Sequence, residues 1–107
     1  MQVVEYLASD GTSPFARWFD DLDPRAATKV TVALERMEQG NLGQHKSVGG
    51  GVVERIIDFG PGYRIYFGRD GDELVILLAG GSKSGQQQDI ATAQARWTEY
   101  KRRKKHG

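Results

Sequence analysis

An α+β fold with one antiparallel-dominated sheet is expected for this 107-residue chain, and three local signals carry the expectation. Ser13-Pro14 and Asp23-Pro24 each read as a helix start. A serine or aspartate side chain accepts from the first free N–H groups, and proline suits the first helical position. Asp70-Gly71 joins two strand-like runs and reads as a hairpin turn. A last run with apolar residues at helical spacing follows. The expected order is β-α-α-β-β-β-α, in a single domain over residues 1–107.

Val3, Val4 and Leu7 mark a short first strand that ends near Ser9-Asp10-Gly11. In the first helix Phe15, Trp18, Phe19 and Leu22 fall at i, i+3, i+4 and i+7. That spacing assigns the aromatic rings to the core rather than to a base-stacking platform. The second helix lines up Ala27, Val30, Leu34 and Met37, and Gly40-Asn41 stops it, so the two helices make an αα-hairpin. Residues 40–51 hold five of the fourteen glycines and read as a flexible loop carrying His45 and Lys46. Residues 52–58 alternate, with Val53, Arg55 and Ile57 on one face and Glu54, Ile56 and Asp58 on the other. Residues 63–69 form the next strand. Residues 74–79, LVILLA, form a third with no polar residue, expected to be central and covered on both sides. The last helix is expected to begin near Gln88 or Asp89 and to dock through Ile90, Ala93, Trp97 and Tyr100. Its basic end, Lys101 to Lys105, is expected to fray.

Composition narrows the function classes. With 38% hydrophobic and 27% charged residues the chain falls in the globular class. The absence of cysteine excludes a disulfide framework and a thiolate metal site, and fits a reducing cytoplasm. There is no run of 18 apolar residues and no basic-then-apolar leader, so a soluble cytoplasmic protein with no membrane partner is expected. Two isolated histidines and scattered acids give neither zinc nor two-metal spacing. Gly49-Gly50-Gly51 lacks the Gly-Lys-Ser/Thr of a phosphate loop. No metal or cofactor is expected. The net charge of +1 hides an asymmetry: residues 1–38 carry net −3 and residues 39–107 net +4. Such a bipolar protein can meet nucleic acid with one side and a different partner with the other.

The stretch from Gly60 to Ile90 concentrates the chemistry. Arg64 and Tyr66 are two apart and share a strand face. Lys83 stands at the end of the apolar strand, just after Gly80-Gly81. A guanidinium, a phenol and an ammonium together suit a phosphate with one oxygen to protonate or deprotonate. Arg55, one strand earlier, can approach Arg64 across the ladder, which favours an anion between them or else an ordinary salt bridge. Arg64 itself can instead pair with Glu54 or Asp58. Truncating Arg64 is expected to cost within about 1 kcal/mol, since its side chain points away from Tyr63, Ile65 and Phe67.

Two strings carry a resemblance to a known family: GNLGQHKSVGGGVVERIIDFGPGYRIYF over residues 40–67 and LLAGGSKSGQQQDI over residues 77–90. They resemble the HigB-like addiction module killer branch of the RelE/ParE toxin superfamily, over nearly the whole chain. Two departures stand out. Ser82 follows Gly-Gly where the family commonly has an acid, and Gly43-Gln44-His45 precedes the loop lysine where Gly-Asp is common.

The resemblance implies a RelE-like fold and the toxin of a type II toxin–antitoxin pair. Its cytoplasmic partners would be a cognate antitoxin, of the helix-turn-helix DNA-binding kind, and the ribosome with its messenger RNA. The RelE and HigB branches cut messenger RNA on the ribosome. The alternatives are a ParE-like inhibitor of DNA gyrase and an RNA-binding module without catalysis, which fold membership does not separate. Metal-free cleavage needs the 2′-hydroxyl deprotonated, the phosphorane charge neutralised and the 5′-oxygen protonated. On that reading the catalytic candidates are Arg64 as phosphate clamp, Lys83 as phosphate ligand or general acid, Arg55 and Tyr66. Lys46, His45, Gln86 and Gln88 are the RNA-binding candidates. No general base stands out.

Overall fold

Ser13 and Asp23 cap the first two helices as their sequence demands. Ser13 Oγ accepts from Ala16 N at 3.0 Å, and Asp23 Oδ1 accepts from Arg25 N and Ala26 N, both at 3.0 Å. The computed structural model describes residues 1–106. It runs β1 (Gln2–Glu5), α1 (Pro14–Asp20), α2 (Pro24–Glu38), β2 (His45–Ser47), β3 (Val52–Ile57), β4 (Tyr63–Asp70) and β5 (Leu74–Ser82). A 3₁₀ turn (Lys83–Gly85) then leads into α3 (Gln86–His106). The sheet order is β1-β5-β4-β3-β2. Among the described residues only β1 and β5 pair in parallel; the other three ladders are antiparallel.

The α+β class holds, and three details differ from the expected order. The glycine loop contains an additional edge strand, β2, pairing His45 with Arg55 and Lys46 with Glu54. β5 is interior, as its apolar sequence demands, but the middle strand is β4. The basic tail does not fray within the described residues: α3 reaches His106. It is held because the β4–β5 hairpin offers a carboxylate there. Asp70 accepts from Lys104 Nζ at 2.5 and 2.6 Å and from Tyr100 at 2.7 Å. Arg103 donates to the Leu7 carbonyl at 2.7 Å.

Each sheet face has its own core. α1 and α2 bring Phe15, Val30, Ala33 and Met37 onto Ile57, Ile65, Phe67, Val75 and Leu77. α3 brings Ala93 and Trp97 onto Val52, Tyr66, Ile76 and Leu78. The buried stripe of α2 is Ala26, Val30, Ala33 and Met37, so the face is turned by about one residue from the expected one; Ala27 and Leu34 lie at its margin.

A bulge in β5 decides which residues at its end face which helix. Tyr66 pairs with Ala79 and Phe67 with Leu77, so Leu78 has no partner across the ladder. Arg96 Nη1 donates to the freed Leu78 carbonyl at 2.7 Å. One extra residue reverses the inward–outward alternation beyond it. Gly80 therefore faces α1, under the ring of Trp18, and Gly81 faces α3, under the carboxylate of Asp89. A Cβ at Gly80 would overlap the Trp18 ring. Gly80→Ala is expected to cost about 1–3 kcal/mol by overpacking. A thermal melt should fall by several degrees; a melt equal to wild type would mean that Trp18 does not rest there.

Candidate functional site

On the α3 face, β3 and β4 bring a buried arginine, glutamate and tyrosine together. Glu54 and Tyr66 are cross-strand partners, and Arg64 follows on the same face of β4. Glu54 and Tyr66 are wholly buried and Arg64 is 9% exposed. Arg64 Nε lies 3.4 Å from Glu54 Oε1, an ion pair too long for a strong hydrogen bond. Gln86, in the first turn of α3, donates Nε2 to Glu54 Oε2 at 2.8 Å. Arg64 Nη1 donates to its neighbour's carbonyl, Tyr63 O, at 3.2 Å.

Among the described residues four buried side-chain polar atoms lack a hydrogen-bond partner. Three converge here: Glu54 Oε1, Arg64 Nε and Tyr66 Oη. Orphaned polar atoms are costly in a folded interior, and their clustering marks a place where folding is not the only constraint. Burial, and then the charges of Glu54 and Asp89, push the Tyr66 hydroxyl far above the usual phenol range. It therefore stays protonated.

Lys83 joins this face through the bulge. Its N–H donates to Gly62 O at 2.8 Å. A Cβ at Gly62 would lie 3.4 Å from Arg64 Nη1 and 3.6 Å from Lys83 Cβ, so the Arg64 guanidinium and the root of the exposed Lys83 side chain flank that glycine. Asp89 lies over Gly81, the register partner of Arg64. A Cβ at Gly81 would overlap the Asp89 carboxylate, so only glycine leaves room for it. Burial raises the Asp89 carboxyl above the ordinary carboxylate value, and the charge of Arg96 opposes the shift. A polar cleft of about 490 Å³ opens beside these groups, lined by Lys83, Ser84, Gly85, Gln86, Gln87 and Gln88. A larger groove, about 600 Å³, lies elsewhere, between β1 and the end of α3, and is mainly apolar. On its rim Arg103 and Lys104 are already paired, with Glu99 and Asp70.

The structure thus divides the residues singled out from sequence. Arg64, Lys83, Tyr66 and Gln86 come together. Exposed Lys46 shares the face of its partner Glu54 at the sheet edge. Gln88 is exposed on α3, 3.4 Å from Thr92 Oγ1. Arg55 and His45 go to the opposite face. Arg55 pairs with Ile65 and Arg64 with Ile56, so the two arginines point away from each other and hold no anion between them. Two groups at the centre were not read as functional from sequence. Glu54 was only an optional ion-pair partner, and Asp89 only a start for the last helix. Their signal was present in VVER and QQQDI, but only the folded chain sets Glu54 against Arg64 and Asp89 over Gly81, the register partner of Arg64.

Together these groups can hold a phosphate on a guanidinium fork, place a carboxylate of raised pKa beside it and supply an ammonium. No helix among the described residues is long and apolar enough to cross a membrane. The family model described as Phage derived protein Gp49-like matches residues 17–98. Over 83 residues the chain is 43% identical to an uncharacterized protein of Haemophilus influenzae, covering 77% of this chain and 84% of that one.

Proposed function

We propose that this chain, which belongs to the Gp49-like family of phage-derived proteins, a RelE- and HigB-like toxin family of toxin–antitoxin systems, cuts messenger RNA on the ribosome without a metal. The observation that carries the reading is the cluster of orphaned polar atoms around Arg64, with Lys83 and Asp89 at its border. A bare anion-binding groove has no need of a buried carboxylate that orients its arginine, nor of a second one with a raised pKa.

In this reading Arg64 clamps the scissile phosphate, and Glu54 with Gln86 fixes the guanidinium plane. Asp89 takes the proton of the 2′-hydroxyl, whose oxygen attacks the neighbouring phosphorus. Arg64 and Lys83 neutralise the charge of the phosphorane. Lys83 gives a proton to the departing 5′-oxygen. The products are a 2′,3′-cyclic phosphate and a free 5′-hydroxyl. Lys46 and, at the α3 end, Lys101, Arg102 and Lys105 add phosphate contacts that hold RNA without reading its bases. A cognate antitoxin keeps the toxin silent, bound against the αα-hairpin on the side of residues 1–38, which carry net −3.

Expression without the antitoxin tests this reading. Growth should stop, with protein synthesis failing before DNA replication. Cleavage of ribosome-bound message should survive a chelator at levels that keep ribosomes assembled. Failure of DNA synthesis first, with transcripts intact, would move the reading to gyrase.

A further inference from the structure

The fourth orphaned atom, Arg55 Nε, lies on the other side of the sheet. Arg55 is 8% exposed, and no carboxylate among the described residues comes within ion-pair distance of it. Its Nη1 donates to the adjacent Ile56 carbonyl, and Nη2 makes no hydrogen bond among the described residues. Arg64 has Glu54; Arg55 has no counter-charge. A buried charge without a partner is among the costliest arrangements in a protein.

The surroundings add cations rather than acids. Gly43 lies against the guanidinium so closely that a Cβ there would overlap it. His45, the register partner of Arg55, donates Nδ1 to the Gly43 carbonyl at 2.7 Å. Gly43 N donates to Asn41 Oδ1, and Asn41 N donates to the Arg36 carbonyl, which ties the end of α2 to the same corner. Burial, and then the charge of Arg36, lowers the Arg55 pKa. The last carbonyls of α2 accept from the N–H groups of Gln39, Gly40 and Asn41 and from the amino group of Met1, and the one carbonyl the Arg55 guanidinium donates to among the described residues is that of Ile56.

We propose that Arg55, Arg36 and His45 form a seat for a phosphate group on the face of the sheet opposite Arg64. Two guanidiniums offer more donors and more charge than one carboxylate can use, and they match the outer oxygens of a phosphate. The phosphate is either free or part of a nucleic-acid strand passing around the β2 edge. The seat does not depend on the cleavage reading.

Inorganic phosphate is the first probe, followed through the Nε–Hε signal of Arg55 and through thermal melts at matched ionic strength, with chloride and acetate as controls. Phosphate should move the Arg55 signal and raise the melt more than either control. Arg55→Gln should lose the phosphate-specific rise, and Arg36→Gln, an exposed helix position, should weaken phosphate about tenfold. A purely structural Arg55 would change the melt equally with and without phosphate. The second probe is a single-stranded RNA blocked by 2′-O-methyl groups. If Arg55→Gln lowers its salt slope by about one, the phosphate belongs to the strand. An unchanged slope with phosphate binding retained means free phosphate. An Arg55 signal that ignores phosphate, or that answers acetate equally well, overturns the proposal.

Discussion

Arg64→Lys is expected to lose about 100- to 1000-fold in transcript cleavage while melting close to wild type. Lysine keeps a positive charge beside Glu54, which is wholly buried and ion-paired to Arg64 at 3.4 Å. It cannot reproduce the two-pronged grip on phosphate oxygens. Arg64→Ala should be equally inactive, but it is the poorer variant. It leaves Glu54 buried with Gln86 as its remaining hydrogen-bond partner. Removing one member of a buried ion pair costs about 3–5 kcal/mol. The sequence-based expectation of about 1 kcal/mol or less considered only what Arg64 points away from. It did not contain the charge that Arg64 points toward. Rates and melts of both variants, measured side by side, separate lost chemistry from lost fold.

Asp89→Asn is expected to lower cleavage by about 100- to 10,000-fold, the usual worth of a positioned general base. Burial holds the folded-state carboxyl above its ordinary value. The wild-type rate should therefore fall on acidification at a pH above the usual carboxylate range, and the variant should lose that limb of the profile. The same shift fixes the sign for stability. A carboxylate whose folded pKa is raised contributes stability at low pH, and loses it as the pH rises through the folded value. At neutral pH charged Asp89 is thus a cost. The asparagine variant should melt at or above wild type there, so inactivity cannot be ascribed to unfolding. A variant that keeps both the rate and the acid limb would assign the base elsewhere.

What was legible in the sequence was what is decided locally. Ser13-Pro14, Asp23-Pro24 and Asp70-Gly71 each specify their own turn or cap, and all three stand where expected. β2 was missed because three exposed residues, His45–Ser47, carry no apolar alternation; it exists through its ladder with β3. The bulge at Leu78 was invisible in LVILLA, where every residue is apolar and phase leaves no trace. It decides that Gly81 and Lys83 meet Arg64 from the α3 side. The faces of Arg55 and Arg64 were open until the register was known. Ile57 pairs with Tyr63 around a five-residue connection, which gives odd-numbered residues of both strands the same face and sends Arg55 away from Arg64. Glu54 and Asp89 needed the tertiary fold, since their roles come from burial and from each other's neighbours rather than from spacing.

The most direct test is the chemistry of the cut ends. Ribosomes programmed with a defined message are given the purified protein in the presence of chelator, and the 3′ ends are identified. The expected result is cleavage leaving 2′,3′-cyclic phosphates, lost in Arg64→Lys at an unchanged melt. An intact message, or an Arg64→Lys protein that cuts as fast as wild type, would contradict the account.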